Sequence, residues 1–415
     1  MNQTSTIKQP IFTRSFTINF IINFFVYLCM YLLLVIIADY SKTSYHVSDS
    51  ISGLVVGLFI IGSLIGRFGT GKYVNRFGPK KILIVGLIFL IITQLLYFIS
   101  GSITILMFVR LLNGIATAIA TTATGTIAAH VTPVERKSEG ISLFSLSLVL
   151  GSAIGPFFGI LLLKSFSINL LFLICLILGI ASLIVSLFIK IDFNPTKNAV
   201  DRKVAQASGF NIHNFIAKEA VPVAIVMMII GLNYASILTF LKPFAEQRHL
   251  LEASSYFFIF YAVASLITRP IAGRMIDAKN ENVVVYPAFL ALIITFVLLV
   301  FSYNGWVLLL AGVFLGIGYG NLSSSMQAIA IKVSPSSKYG IATSTYFIGL
   351  DIGIGFGPSL LGLFTDSITY TQVYLIMAIV AALCTVLYLI VHGRKVHGNT
   401  SVSYTHLTLP TILLV

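Results

Sequence analysis

The chain has few charged residues and few cysteines, and each shortage excludes a class of protein. Charged residues make up 9% of its 415 positions, against about 25% in average soluble proteins, so its surface could not stay dissolved in water. Its three cysteines, Cys29, Cys175 and Cys384, lie in separate apolar runs, which excludes a disulfide framework or a cysteine metal cluster. The sequence has no phosphate-binding loop and no nucleophile paired with a base. We therefore expect neither an enzyme nor a bound metal or cofactor.

Long apolar runs take up most of the chain. Twelve of them are centred near residues 28, 59, 91, 116, 151, 178, 230, 263, 293, 316, 352 and 380. A bilayer crossing needs about 20 residues, and backbone polar groups in lipid must be paired within the segment, so each run should be a helix. The sequence predicts an all-α polytopic protein that crosses the lipid bilayer twelve times.

The basic residues are placed unevenly. The 26 Lys and Arg outnumber the 13 Asp and Glu, and most of them fall in loops on the N-terminal side, Lys72, Arg136 and Arg202 among them. This is the positive-inside pattern, which predicts that both termini are cytoplasmic, and it needs no nucleic-acid partner. Residues 1–16 are polar and predict a cytoplasmic N-terminus, because the apolar run after Thr17 is too long for the core of a cleavable signal.

The glycines and prolines repeat at an offset of 202 residues. The repeated pairs are Arg67 and Arg269, Gly71 and Gly273, Gly114 and Gly316, Val131 and Val333, Pro133 and Pro335, Gly151 and Gly353, Gly155 and Gly357, and Pro156 and Pro358. Because Gly and Pro fix where helices bend or approach closely, the two halves should share one helix layout. Internal duplication in an apolar chain is typical of secondary transporters, whose site lies between the repeats.

The longest polar break separates six spans from six. It predicts an N-terminal bundle over 17–190, a cytoplasmic linker over 191–217 and a C-terminal bundle over 218–393. Residues 394–415 are expected to form a cytoplasmic tail. Its last part, 402–415, resembles translated adapter sequence and is interpreted as non-native.

The loop after the second span carries a recognisable motif. Gly71 is followed, after three residues, by Asn75, Arg76, any residue and Gly78. This resembles the cytoplasmic motif of the major facilitator superfamily, which usually has Asp in place of Asn75, and the second half has a degenerate copy that ends at Asp277. The resemblance implies a close helix contact and a charged latch between the halves, although Asn75 cannot make the ion pair. The alternative is a basic loop that only sets topology.

Two charged residues lie inside predicted spans. Arg110 lies in the sequence Arg110-Leu111-Leu112-Asn113-Gly114, which resembles a superfamily motif whose arginine is linked to proton coupling. It lies roughly 10 Å from the outer edge of the bilayer. The alternative is that its side chain snorkels to the outer surface. Asp351 lies about 16 Å deep, near the middle of the bilayer. An acid at that depth is costly and is expected to exchange protons, which makes the proton the expected coupling ion. A structural acid or a site for a cationic substrate are the alternatives.

The fifth span resembles the superfamily motif of proton-antiporting exporters. Gly151, Gly155, Pro156 and Gly159 carry the resemblance, which favours export over import. Its second copy includes Gly357 and Pro358. Glycines at this spacing allow helices to touch closely, and the proline bends the helix at that contact.

The cavity of this superfamily is lined by spans one, four, seven and ten, which here carry uncharged polar and aromatic groups. The candidates for substrate contact are Tyr31, Asn233, Tyr234, Asn321, Met326 and Gln327. Such a lining suits an amphipathic or uncharged small molecule better than a phosphate or a dicarboxylate. Each of these side chains could instead serve only in helix packing.

The resemblance covers about residues 15–393. It implies two six-helix bundles related by a pseudo-two-fold axis around a central cavity. The expected function is proton-driven export of lipophilic drugs or a related small metabolite across a bacterial plasma membrane, by a monomer. Export of a sugar, an amino acid or a metal-chelating metabolite is the alternative within transport. An importer, a channel and a non-transporting receptor are further alternatives.

Overall fold

Residues 9–163, 166–191, 215–362 and 368–394 are described in a computed structural model of the chain, and within these ranges it is helical without strands. The twelve long helices of these ranges are α1 (Arg14–Tyr45), α2 (Asp49–Phe77), α3 (Pro79–Leu96), α4 (Ile103–Val131), α5 (Lys137–Leu163), α6 (Ile168–Ser186), α7 (Val221–Gln247), α8 (Leu251–Ala278), α9 (Asn282–Val300), α10 (Gly305–Lys332), α11 (Tyr339–Gly362) and α12 (Tyr370–Tyr388). The predicted all-α class is confirmed.

Eleven of the described helices are long and apolar enough to cross a membrane. The twelfth, α11, is not among them, and it contains Asp351 and a run of glycine and hydroxyl residues. It packs closely along α7, where Gly349 and Gly353 lie against the backbone of Ala224 and Met228. It therefore runs through the C-terminal bundle beside a helix that does meet the criterion.

The predicted linker and tail lie mostly outside the described residues. Residues 192–214 of the linker and 395–415 of the tail fall outside them, as do residues 1–8. The helices of the N-terminal half run from Arg14 to Ser186. Those of the C-terminal half run from Val221 to Tyr388, and a π-helical turn continues the last one to Gly393.

The turn between α2 and α3 shows why its glycine is needed. Gly78 has φ 91°, which a residue with a Cβ adopts only under strain. Pro79 follows at the first position of α3, where its fixed φ suits a helix start. The chain therefore reverses within one residue between two long helices.

The repeat seen in the sequence is also a repeat of helix contacts. Gly114 of α4 lies against the carbonyl of Phe59 in α2, so a Cβ at this glycine would overlap that oxygen. Gly316 of α10 lies in the same way against the carbonyl of Tyr261 in α8. Gly114 and Gly316 are 202 positions apart, and so are Phe59 and Tyr261. The α2–α4 and α8–α10 crossings are therefore equivalent.

The two bundles meet along two seams, α2 with α11 and α5 with α8. Gly71 of α2 lies against Gly340, Ile341 and Ser344 at the start of α11. Gly273 of α8 lies against Ser138, Glu139 and Ser142 at the start of α5. We call the end of the molecule where these contacts lie the basic side, because Lys72 near the end of α2 and Lys80 and Lys81 at the start of α3 are there. On this side the halves are closed against each other.

We expect Gly114→Ala to destabilise the fold, because the new methyl group must push α4 away from the Phe59 carbonyl. Overpacking of this kind costs about 1–3 kcal/mol. Gly57→Ala is the matched control, since a Cβ there meets nothing within 4 Å. Thermal unfolding of the two purified variants in detergent measures the difference. Equal midpoints would show that the α2–α4 crossing can relax.

Candidate functional site

An ion pair joins the two bundles near the middle of their helices. Nε of Arg67 in α2 lies 2.5 Å from Oδ2 of Asp351 in α11. The side chains are 5% and 17% exposed, so the pair is largely shielded from solvent. Ser63 donates a second hydrogen bond to the same carboxylate oxygen at 2.7 Å. Asp351 is thus held by two α2 side chains one helical turn apart.

Arg67 is held by three further side chains. Its Nη1 donates to the hydroxyls of Thr121 and Thr122 in α4 at 3.2 and 3.1 Å. Its guanidinium carbon lies 4.2 Å from the centre of the Phe347 ring, a cation–π distance. The sequence identified Arg67 as a marker of the repeat and did not predict its role as the partner of Asp351. No local pattern connects residues so far apart in the chain.

Arg110 is not brought into contact with Asp351. Its Nη1 donates to the Tyr97 hydroxyl at 3.2 Å, and its guanidinium lies 4.7 Å from the Phe59 ring. The side chain is 1% exposed, so it does not snorkel to the surface. Its Nε and Nη2 have no hydrogen-bond partner among the described residues. A role in proton coupling remains a prediction for this residue.

Arg269 is the counterpart of Arg67 in the second half, and it is 1% exposed. Its Nη1 donates to the carbonyl and the hydroxyl of Ser145 in α5 at 2.7 and 2.9 Å. Its Nη2 donates to the Ser323 hydroxyl in α10 at 2.9 Å. Ser323 and Thr121 are equivalent by the repeat, so both arginines use the same hydroxyl position. Arg269, predicted as a conformational residue, thus joins the second seam.

A small central cavity lies between the bundles. Its volume is about 20 Å³, roughly the room for one water molecule. Both halves line it, with Asn23, Tyr27, Phe144, Ser145 and Leu148 from the first and Arg269, Tyr319, Ser323, Gln327, Tyr346, Phe347 and Leu350 from the second. Gln327, a predicted substrate contact, is therefore at the interface between the halves.

Asn321 lies elsewhere than the central cavity. It lines a separate apolar crevice of about 190 Å³ between α8, α9 and α10. Its Nδ2 donates to the Thr268 hydroxyl at 3.1 Å and to the Ile317 carbonyl at 2.8 Å. Ile271, another wall of the crevice, is exposed, so Asn321 belongs to the outer part of its bundle.

The other predicted substrate contacts are buried. Tyr234 stacks on Tyr319 with ring centres 4.0 Å apart. Asn233 donates to the Ile229 carbonyl of its own helix at 3.0 Å, and Met326 is fully buried. Tyr31 lies 6.5 Å from Tyr27, ring centre to ring centre. Their roles in substrate binding remain predictions.

The two latch residues contact opposite halves in equivalent ways. Both carboxylate oxygens of Asp277 accept backbone N–H groups at the start of α5, from Ser138 at 3.0 Å and Glu139 at 2.8 Å. Oδ1 of Asn75 accepts the N–H of Gly340 at the start of α11 at 3.0 Å. A carboxylate at a helix N-terminus is favoured by the helix dipole, and the neutral Asn75 lacks that charge.

Charged side chains strengthen the Asp277 latch. Arg274 of α8 donates to Glu139 of α5 at 2.6 Å, and Arg136 donates to the other oxygen of Glu139 at 2.7 Å. Arg76, from the first copy of the motif, instead lies over the ring of Phe77 at 5.2 Å. The α5–α8 seam thus holds the charged latch, and the α2–α11 seam a neutral one.

The glycines of α5 pack inside the first bundle. Gly151, Gly155 and Gly159 lie against α1, next to Tyr27, Tyr31 and Ile36 in turn. Pro156 lies inside α5. In the second bundle Gly357 lies against α7 next to Ala235 and Leu232. The side chain of Pro358 is outside the described part of the chain. These motifs fix the α1–α5 and α7–α11 contacts.

A duplicated six-helix bundle with a buried polar centre between its copies is the architecture of a secondary transporter. The model of the Major Facilitator Superfamily matches residues 20–304 and 223–405 of the chain. The chain therefore belongs to this superfamily, whose members are membrane transporters and not enzymes.

Known proteins resemble this chain at low identity. An uncharacterized MFS-type transporter of Methanocaldococcus jannaschii is 24% identical over 353 residues, which are 83% of this chain and 89% of that protein. The multi-drug resistance efflux pump PmrA of Streptococcus pneumoniae is 24% identical over 268 residues, 62% of this chain and 66% of that protein. The crystal structure of the human organic anion transporter MFSD10 has a TM-score of 0.76 at 16% identity, covering 91% of this chain and 100% of that one. At 16% identity the likeness to this solved structure shows the fold alone.

Removal of both members of the Arg67–Asp351 pair should destabilise the protein by less than the two single removals added together. Arg67→Gln leaves a buried carboxylate and Asp351→Asn a buried guanidinium, and breaking a buried pair costs about 3–5 kcal/mol. The double variant should lose less than the sum of the two losses. Unfolding in detergent at fixed pH gives the three values, and Ser63→Ala, which removes one hydrogen bond, is the mild control. Additive losses would mean that the two charges do not stabilise each other.

Asp277→Ala should open the basic side, because it frees two N–H groups at the start of α5. Loss of a helix cap costs about 1 kcal/mol, or about a fivefold change in population. The measurement is the labelling rate of Ser142→Cys, buried beside Gly273, by a membrane-impermeant maleimide. Asn75→Ala, which removes the neutral latch, should raise the rate less. An unchanged rate in Asp277→Ala would contradict its role as a latch.

Proposed function

We propose that this transporter exports small amphipathic molecules across a bacterial plasma membrane in exchange for protons. The observation that carries the proposal is the position of Asp351: it is an ionisable acid in the seam between the two bundles, and its partner Arg67 belongs to the opposite bundle. A proton on this carboxylate removes the charge that attracts Arg67, so protonation and closure of the seam oppose each other.

The proposed cycle starts from the arrangement described here, with the basic side closed. The positive-inside pattern assigns that side to the cytoplasm, so the substrate path then faces outward. A proton entering from outside neutralises Asp351 and loosens its contact with Arg67 and Ser63. The halves part on the cytoplasmic side, the substrate enters and the proton leaves. The ionised carboxylate then pairs with Arg67 again, which closes the cytoplasmic side.

Two observations favour export over import. The similar protein of Streptococcus pneumoniae is named as a multi-drug resistance efflux pump, and α5 carries the glycines and proline that resemble the motif of proton-antiporting exporters. Apart from Arg269, the central cavity is bounded by aromatic rings, uncharged polar groups and leucines, which suits an amphipathic substrate. The proposed unit is a monomer in the lipid bilayer, since each chain contains both halves and both seams.

The test begins with a growth-inhibition panel in cells with and without the protein, which identifies a transported compound. In inverted membrane vesicles a pH gradient, acid inside, should then drive uptake of that compound. Asp351→Asn should reduce gradient-driven uptake at least tenfold, because its side chain cannot carry the proton.

Glu252→Gln is the matched control, since it neutralises an exposed acid at the start of α8, and it should transport like the parent. Uptake by Asp351→Asn at the full rate against a concentration gradient would remove the proton role from this residue. Equilibration without accumulation in the parent protein would favour a channel or a facilitator.

A further inference from the structure

Arg269 is a buried cation without a buried acid. Among the described residues it pairs with no carboxylate, whereas its counterpart Arg67 pairs with Asp351. The repeat places Val149 of α5 at the position equivalent to Asp351, and Val149 is fully buried. Ser145, one turn earlier on α5, already contacts Arg269. The second seam therefore repeats the arginine of the first seam without its acid.

The surroundings of Arg269 do not balance its charge. Its hydrogen-bond partners Ser145 and Ser323 are neutral. The titratable side chains that act on it electrostatically are those of Tyr234, Tyr261, Tyr319 and Tyr346, and a tyrosine hydroxyl is neutral at physiological pH. An unpaired charge inside a transmembrane bundle is expensive and marks a functional position.

The central cavity has hydrogen-bond donors to spare. Arg269 and Gln327 both line it, and Nε of Arg269 and Nε2 of Gln327 have no partner among the described residues. Both atoms are donors, and a carboxylate only accepts hydrogen bonds when ionised. The aromatic rings of Phe144 and Tyr346 line the same cavity. An acidic group joined to an apolar body would satisfy both kinds of wall.

We propose that Arg269 binds the acidic group of the transported molecule, so that the substrate is an amphipathic carboxylate with a single negative charge. This proposal rests on the central cavity being the transport path. In it the substrate carboxylate pairs with Arg269 in the way that Asp351 pairs with Arg67. One arginine without an acid suits one charge, and a dicarboxylate would leave its second charge unpaired.

Closure of the basic side competes with this binding. In the closed arrangement Nη1 of Arg269 is held by Ser145 of the opposite bundle, and the cavity of about 20 Å³ is too small for such a molecule. Separation of α5 from α8 releases Nη1 from Ser145 and frees it for the substrate. When the seam closes again, Ser145 displaces the carboxylate from Arg269.

The test compares three probes that share one ring system and differ in charge: 1-naphthaleneacetate, 1-naphthaleneacetamide and 1-naphthaleneethylamine. Binding to the purified protein in detergent is measured by calorimetry. The acetate should bind about tenfold more tightly than the amide, a difference of about 1.4 kcal/mol, and the amine should bind more weakly still. Equal or tighter binding of the amide or the amine, or no binding of the acetate at millimolar concentration, would overturn the proposal.

Two variants identify Arg269 as the cause of the preference. Arg269→Gln should bind the acetate and the amide equally. Val149→Asp supplies an internal carboxylate while it keeps Arg269, and it should weaken acetate binding about tenfold, whereas Val149→Asn should keep the preference for the acetate. Retention of that preference in Arg269→Gln, or in Val149→Asp if Arg269→Gln does not fold, would refute the assignment.

The result is separable from that of the export proposal. If binding depends on charge and on Arg269 but no compound is taken up by vesicles under a pH gradient, the anion site stands and proton-driven export fails. If gradient-driven uptake is observed only for cations or neutral molecules, export stands and the anion site fails.

Discussion

A charge buried between apolar helices must have an opposite charge or a strong hydrogen-bond partner, and this requirement governs the centre of the protein. The guanidinium of Arg67 meets the carboxylate of Asp351 in the opposite bundle, so the pair is complete only when the two halves are together. Its geometry depends on glycines on both sides of the seam, because Gly71 brings α2 against the backbone of α11. Charge and close packing thus stabilise the same closed arrangement.

The sequence was sufficient for the helices and for the repeat, and insufficient for the pairing across the seam. Apolar length located all twelve helices, and the offset between Gly114 and Gly316 corresponds to equivalent helix crossings. The partner of Asp351 could not be predicted, because composition and spacing within a helix do not reveal which residues of another helix face it. The same limit applies to Asn321, which lines an outer crevice although it lies on a helix predicted to line the cavity. One signal was available and was missed: position 149 of the repeat is Val where position 351 is Asp.

Duplication gave both bundles one layout, and substitutions at equivalent positions have made the two seams chemically different. Arg67 is paired with an acid, while Arg269 is surrounded by hydroxyl groups. In the proposed cycle the first arginine responds to the proton and the second to the substrate. The two roles are compatible because a buried arginine keeps its charge throughout. A change in the charge or the hydrogen bonding of the groups beside either arginine therefore changes the stability of its seam.

The unequal latches of the basic side also determine how that side can come apart. At this end Asp277 accepts the backbone N–H groups at the start of α5, and Arg274 and Arg136 both pair with Glu139. At the same end α2 contacts α11 through the amide of Asn75, and the Arg67–Asp351 pair joins these two helices nearer their middle. In the proposed cycle we therefore expect separation to begin between α2 and α11, once protonation of Asp351 has released Arg67. The α5–α8 seam, with its charged latch, is then the last to part, and the opening is asymmetric although the fold is nearly symmetric.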